Sequence, residues 1–536
     1  MAICIIFYNF VPLKSYIPHI IMIRFRLSDV TKSCYLSDGV RSLRLYFMFL
    51  FMGLTQMMSA QTGDLQRTTP ESQGLSSKMV MQMIDTLMAQ TDTDVHGIMV
   101  MRHGKVVAEK FCSPWAAPYG HTLYSCSKTF TAVAVGLAIG DSLLTLDTKM
   151  ADVLTDVMPA VPGDSMAQIT VRDLLTMRSG LPVDTEMRNR TRDWMRTYLS
   201  KGMVGLPGTL FAYDSIDSYL LAAMVQRVTG RKMMDYLRER VFGPMHITQA
   251  YWEESPEGIS CGGWGLYLQL ESMAKFGQLL LNRGAWGGRQ LVPAEWVDQM
   301  LTKHVDVPNG TKYGYHIWQC PYPSMWRADG AYGQYIFVMP QSDMVVAITQ
   351  CMRGNGNKEM SWINRLASSA AQQSLSADPL AQKVLAEREY AMPFTKGKES
   401  SSRHSTPFMV DLGTNDLGWR RIECFPSKQQ FRIKVTTTTG RTFDLNCGHQ
   451  QWQLNCVDGM PLNFRVFKNN FSNIPEPFLV SCSYGWTTTE DLYLRLNFVN
   501  WLSSCRLHLN LKKGQESGDI LSSYTNKTVG IKVYPK

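Results

Sequence analysis

Two signatures are missing from this chain of 536 residues: it has no Cys-x-x-Cys pair and no histidine cluster at metal-ligand spacing. That removes the usual zinc and dithiol signatures. Basic runs are missing as well. The formal charge of +9 is partly an effect of residues 1–60, which hold six Lys/Arg against two acids; beyond them 48 basic residues face 43 acidic ones. A mild excess without a cluster makes nucleic acid an unexpected partner. Long apolar runs are scarce too: the candidate at 45–54 falls short of the ~20 residues that span a bilayer. What remains, 45% apolar and 18% charged residues, is ordinary globular composition, and the length exceeds one core, so two or more domains are expected.

The segment RSLRLYFMFLFMGLTQMMSAQ (41–61) pairs two arginines with an apolar stretch and a small-residue Ser59-Ala60 site. This is the layout of a signal peptide cleaved after Ala60, which predicts export to the periplasm or beyond and no stable membrane span afterwards. The alternative is an inner-membrane anchor formed by an uncleaved 45–57 segment. Residues 1–40 do not fit a signal peptide and predict a true start nearer Arg41. Twelve cysteines include Cys4 and Cys34 in this leader; the others are scattered, and export permits disulfides whose connectivity stays open.

Beyond the leader, HGIMVMRHGKVVAEKFC (96–112) reads as a hairpin turning at His103-Gly104. Helices are predicted over 77–89, 169–182 (ending at Ser179-Gly180), 215–230, within 262–285 after a Gly-rich approach, over 293–301 and over 358–374. Strands over 334–339 and 344–350 follow the Ala328-Asp329-Gly330-Ala331 stretch. Strands at both ends with helices between imply an α+β domain over 61–386 whose sheet joins its termini. Residues 387–406 read as a polar linker. From 407 to 536 the pattern becomes period-two (FRIKVTTTT, LYLRLNFV, LHLNLK, GIKVYPK), predicting a small all-β domain with aromatic residues serving its core.

The chemistry is concentrated in TLYSCSKTFTAVAVGLAIG (122–140). Ser125 and Lys128 stand three apart at the head of an apolar run that reads as a helix buried on most sides. At that spacing the hydroxyl and the amine share one face. Desolvation lowers a lysine pKa, so Lys128 can take the serine proton, while the helix N-terminus favours the developing negative charge. This serine chemistry calls for no metal and no organic cofactor. The alternative is a capping serine with a solvated lysine. Cys126 between them reads as a small buried filler. Tyr213, in a loop before the 215–230 helix, is the candidate second proton carrier; an ammonium beside it predicts a lowered phenol pKa. A tyrosine packing a helix entrance is the alternative. The 328–331 stretch could offer a backbone N–H to an oxyanion, or could be a plain Asp-Gly turn.

Five blocks (SCSK, ITVRDLLTMRSGLP, FAYDSIDSYLLAAMVQRVTG, GGWGLYLQLESMAKFGQLLL and ADGAYGQYIFVMPQSDMVVAIT) stand in the order found in serine β-lactamase-related hydrolases, and the chain resembles that family over about 70–374. The family includes class C β-lactamases, D-Ala-D-Ala carboxypeptidases, family VIII esterases and 6-aminohexanoate-dimer hydrolases. The resemblance implies a β-lactamase/transpeptidase-like α/β sandwich with a helical subdomain and a cleft between them. It implies Ser125 as the acylated nucleophile, Lys128 as its proton partner and Tyr213 as the base of a Tyr-x-Asn motif. Two departures stand out: Ser215 replaces the Asn, and Arg327-Ala328-Asp329-Gly330 replaces Lys-Thr-Gly. They argue against a true β-lactamase and for an esterase or amidase acting on a small ester, amide or peptide. Ser215, Arg327, Asp329, Gly330 and Ala331 are the expected substrate or oxyanion residues. A non-hydrolytic acyl-binding sensor of the penicillin-binding type, or an adhesion role for the β-domain, are the alternatives.

Overall fold

The structure, a computed structural model, describes residues 65–536 apart from 161–162, 184–191, 416, 428–430, 460–476 and 523–526. The leader expectations, both signal peptide and anchor, fall on 1–60 and lie outside the described residues. No helix among the described residues is long and apolar enough to cross a membrane.

Alternation of apolar side chains on Thr93–Arg102 organises the first half. Met99 and Met101 face one side, Ile98 and Val100 the other, and all four are buried. Such a strand needs cover on both faces. It pairs antiparallel with Lys105–Ser113 and, from the far end of the domain, with Met344–Met352, so the sheet does join the two termini. The nine-stranded sheet continues through Gln334–Met339 and Trp326–Gly330 to three two-residue strands, ending at Val305–Asp306. Helices Ser77–Met88 and Asn357–Ser368 cover one face, with Leu87 and Ile363 in the same cluster as Ile98. Leu270–Leu281 and Ser127–Gly140 share the core on the other. Ser127–Gly140 is buried from Ser127 to Ala138: Phe130 stacks on Phe276 at 3.5 Å, and a β-carbon on Gly136 would lie 2.0 Å from the Trp296 ring. Helix Ser215–Thr229, ended by Gly230 at φ +66°, packs alongside it.

The helix expected over 169–182 spans only Val171–Leu175, opened by a Thr170/Asp173 capping box. It stops early because Met177 adopts a left-handed φ of 57°. The Asp-Gly pair is not a turn: it closes strand Trp326–Gly330, which is flanked on both sides, and the turn falls at 331–333. The polar 387–406 segment is held at two points. Tyr390–Ala391 pairs with Cys112 and Ser113, and Lys398 bridges to Trp486.

In the C-terminal part Leu492, Leu494 and Leu496 are buried while Tyr493 and Arg495 between them are not, as period two requires. Eleven strands form one antiparallel-dominated sheet, and the two ends of its path, Lys527–Ile531 and Val533–Pro535, are consecutive in the chain across Lys532. That continuity curls the sheet into a nearly closed barrel around a core that includes Ile422, Ile433, Leu494 and Leu507.

Candidate active site

Ser125 sits in a short 3-10 turn, Tyr124–Cys126, that runs directly into Ser127–Gly140. The turn needs Tyr124 at φ 48°, a conformation disfavoured for any residue with a β-carbon. Local bonds hold it: the Ser127 hydroxyl donates to the Tyr124 carbonyl at 2.6 Å and accepts the Leu266 amide at 3.1 Å. Cys126 is fully buried, its thiol donating to the Gln334 carbonyl at 3.0 Å, and burial pushes that thiol well up, so it is an inert filler.

One turn along, Lys128 is 1% exposed. Its Nζ lies 2.9 Å from Ser125 Oγ, 2.9 Å from Ser215 Oγ and 2.8 Å from the Gly263 carbonyl, and 4.7 Å from the Tyr213 ring centroid. Ser215 thus reaches the amine from the first turn of its own helix, despite being shorter than the Asn of the resembled motif. Gly263 is required for the third contact. Its φ is not left-handed, but a β-carbon there would meet the Ser215 backbone oxygen at 2.5 Å. The expected glycine-rich approach therefore has a chemical purpose that the sequence alone did not reveal.

The Tyr213 ring leans on Tyr313 and Trp318, with Lys128 Nζ over its face, and its hydroxyl is turned towards the polar groups of Ser125 and Trp318. The expected fall in its pKa does not occur. Burial raises it, Asp329 and Cys126 add to the rise, and the polar influence of Ser125 and Trp318 only partly opposes it. Tyr213 is therefore a neutral phenol at physiological pH. His316, behind the site, is neutral too: burial and the Lys128 charge push it down to about 3, and its Nε2 meets Ser218 Oγ at 2.9 Å.

Strand Trp326–Gly330 flanks the turn. A β-carbon on Gly330 would lie 2.2 Å from the Leu123 oxygen and 3.3 Å from the Cys126 nitrogen, so the strand end is flush with Ser125 and Ala331 begins the exposed turn beyond. The Gly333 amide closes that turn on the Gly330 carbonyl at 3.0 Å, and buried Gln334 ties it to Gln350 O at 2.6 Å. Arg327 does not reach out as a free cation: its Nε donates to Asp329 at 2.7 Å. Burial opposes the Arg327 charge, but Asp329 and Cys320 more than offset it; burial raises Asp329 in spite of Arg327. Trp318, Gly263 and Gln334 are the site residues sequence reasoning missed. No group of three or more His, Cys, Asp or Glu among the described residues is arranged to hold a metal.

A family model described as Beta-lactamase matches residues 80–368, more than half of the chain. Protein flp of Staphylococcus aureus (strain COL) is 24% identical over 196 residues, which cover 32% of this chain and 39% of flp. The 6-aminohexanoate-dimer hydrolase of Paenarthrobacter ureafaciens is 23% identical over 242 residues, covering 41% of this chain and 59% of that enzyme. The chain therefore matches less than two thirds of the length of either relative. Among solved structures, a putative 6-aminohexanoate-dimer hydrolase from Bacillus anthracis aligns at 18% identity and TM-score 0.47, covering 56% of this chain and 86% of its own.

Proposed function

Because the chain belongs to the Beta-lactamase family, we propose that it is an exported serine hydrolase that cleaves a small ester or amide through a Ser125 acyl-enzyme. The observation that carries this is the 2.9 Å contact between Ser125 Oγ and the buried Lys128 Nζ at a helix N-terminus. A hydroxyl can donate as well as accept, so the same contact serves when a neutral Lys128 takes the Ser125 proton. Oγ then attacks the carbonyl carbon, and the N–H groups of Ser125 and Ala331 receive the oxyanion. The proton passes from Lys128, with the neutral Tyr213 phenol as relay, to the leaving oxygen or nitrogen. Water attacks the acyl carbon and gives a proton to Lys128, which passes it to Ser125 Oγ as the acyl C–O bond breaks, releasing the acid and restoring both Ser125 and a neutral Lys128. With Arg327 engaged by Asp329, the site favours short neutral acyl groups over β-lactams, which carry a carboxylate. Export rests on the 41–60 segment.

The test is intact-protein mass spectrometry after a fluorophosphonate probe, then turnover of an ester and peptide panel. One adduct on Ser125, absent in Ser125→Ala, supports the mechanism; an adduct that persists in the variant refutes it. A second reading, a slowly deacylating sensor, draws on Tyr213: a phenol that burial keeps protonated is a poor base for activating water. It predicts a burst of one equivalent without steady turnover.

A further inference from the structure

The strand His121–Thr122 ends three residues before Ser125, and its two edges are held by different parts of the chain. One edge pairs with Leu266–Leu268. On the other, the Thr122 amide donates to the Asn500 carbonyl at 3.1 Å, and Asn500 Nδ2 donates to the Gly120 carbonyl at 3.3 Å. Asn500 belongs to the barrel, and its Oδ1 accepts the Leu479 amide at 2.6 Å, so its side chain is fixed from within. Its neighbour Trp501, 1% exposed, lies with its ring 5.5 Å from Tyr124 and 6.2 Å from Tyr267. Tyr124 in turn meets Tyr332 edge-on at 5.6 Å. Tyr124 and Tyr332 matter because both are left-handed, at φ 48° and 62°. One immediately precedes Ser125; the other sits in the turn that carries Ala331. A strained backbone persists only where its surroundings over-determine it.

We infer that Asn500 and Trp501 of the C-terminal barrel are positioning residues for acyl transfer, holding the Ser125 turn and the Ala331 turn in mutual register. The inference rests on the Ser125 reading above. It makes the barrel a participant in the chemistry, since one aromatic stack from it fixes both the attacking hydroxyl and a donor to the oxyanion.

The test compares Trp501→Ala, Trp501→Phe and Asn500→Asp in the full chain, by thermal melting, fluorophosphonate inactivation rate, and kcat and KM on a short-chain ester. Trp501→Ala should lose roughly 10- to 100-fold in inactivation rate and kcat with KM within about twofold, the effect of a misplaced reacting group. Trp501→Phe, which keeps a ring, should recover most of that loss. Asn500→Asp retains the acceptor for Leu479 but loses the donor to Gly120, and should lose roughly three- to tenfold while still folding. A contact that merely stabilises would lower the melting temperature and leave the rate constant of the folded protein unchanged. Should Trp501→Ala not fold, the other two variants decide. Folded variants that react at the wild-type rate overturn the inference alone; a wild type never labelled on Ser125 overturns the Ser125 reading and this inference with it.

Cys447 and Cys482 are buried on neighbouring strands, Thr442–His449 and Phe478–Trp486, whose register pairs Gly448 with Ser483 and so sets the two cysteines opposite each other. Both are free thiols, and their sulfurs face each other at 2.8 Å. We propose a disulfide between them, welding a parallel contact of few residue pairs. One thiolate attacks the disulfide of an oxidised donor such as glutathione disulfide, releasing a donor thiol; the second displaces the other, so two protein thiols are oxidised as the donor is reduced. The full chain, refolded from the reduced denatured state in glutathione buffer and alkylated under denaturing, non-reducing conditions, should yield a linked peptide pair lighter by two hydrogens. The exposed Cys456 is the alkylated control. Alkylation of both Cys447 and Cys482 overturns the proposal.

Discussion

Gly263→Ala tests the lysine cradle through a single methyl group. Backbone strain does not enter, since φ at 263 is not left-handed. The new β-carbon would lie 2.5 Å from Ser215 O, 2.8 Å from Ser215 Cβ and 2.9 Å from Ser215 Cα, two of them backbone atoms that cannot rotate away. Reaching an ordinary 3.4 Å contact from 2.5 Å needs a retreat of about 0.9 Å, shared between the 263 carbonyl and the head of Ser215–Thr229. Both are Lys128 partners, at 2.8 and 2.9 Å, so either retreat loosens the amine. A 1 Å misplacement costs roughly 10²-fold in rate, about 2.7 kcal/mol of barrier, while overpacking costs ~1–3 kcal/mol of stability. Stopped-flow acylation with a chromogenic ester, beside thermal melting, separates the two. A folded Gly263→Ala enzyme acylating within threefold of wild type would show that the carbonyl does not hold Lys128 for catalysis.

Three further outcomes are expected. Tyr213→Phe should lose roughly 10²–10⁴-fold in turnover, as for one acid–base group, and because burial raises that phenol the wild-type pH–rate profile should show no tyrosine limb between pH 7 and 10; a limb there in the wild type and absent from the variant would contradict the neutral phenol. Asp329→Asn should release Arg327 from its 2.7 Å partner and raise turnover of a cephalosporin reporter at least several-fold from a wild-type kcat/KM below about 10⁴ M⁻¹s⁻¹, measured by absorbance; unchanged turnover would mean Arg327 cannot reach a substrate carboxylate. His316 is depressed from 6.5 to about 3, so the stability it contributes is complete above pH 6.5 and is lost as pH falls towards 3. At pH 4 that loss is on the order of 3 kcal/mol, and His316→Gln should show a visibly smaller drop in melting temperature between pH 7 and 4. Parallel drops would rule out His316 as the acid-sensitive group.

What the sequence could reveal was local. Ser125 and Lys128 lie one turn apart, so their meeting follows from helix geometry, and the 93–113 hairpin, the 215–229 helix and the barrel strands follow from short-range periodicity. The Tyr213 pKa is different. The rings that bury it, Tyr313 and Trp318, are about a hundred residues away, and that burial raises the phenol where a lowering was expected. The 169–182 helix failed at one residue, because nothing about Met177 announces a left-handed turn. The Asp-Gly stretch read equally well as a donor to an oxyanion or as a plain turn until its partner strands were in place. Asn500 carries no motif at all; only the docking of the barrel shows what it touches.

The pairing of Thr93–Arg102 with Met344–Met352 has a consequence for how the molecule comes to exist. As the chain emerges N-terminus first, the hairpin of Thr93–Arg102 and Lys105–Ser113 can form early, but the other edge of Thr93–Arg102 must wait for some 240 residues of further synthesis. Until then a strand reading VHGIMVMR presents unpaired amides and apolar faces to anything nearby, the setting in which edges associate with other chains. Pairing so distant in sequence also makes for slow folding. The intervening helices must gather as an insertion before the sheet can close beneath them. Yield of native protein should therefore depend on keeping that one edge shielded during synthesis, by a holdase or by slow passage of the chain, more than on the strength of any contact in the finished site.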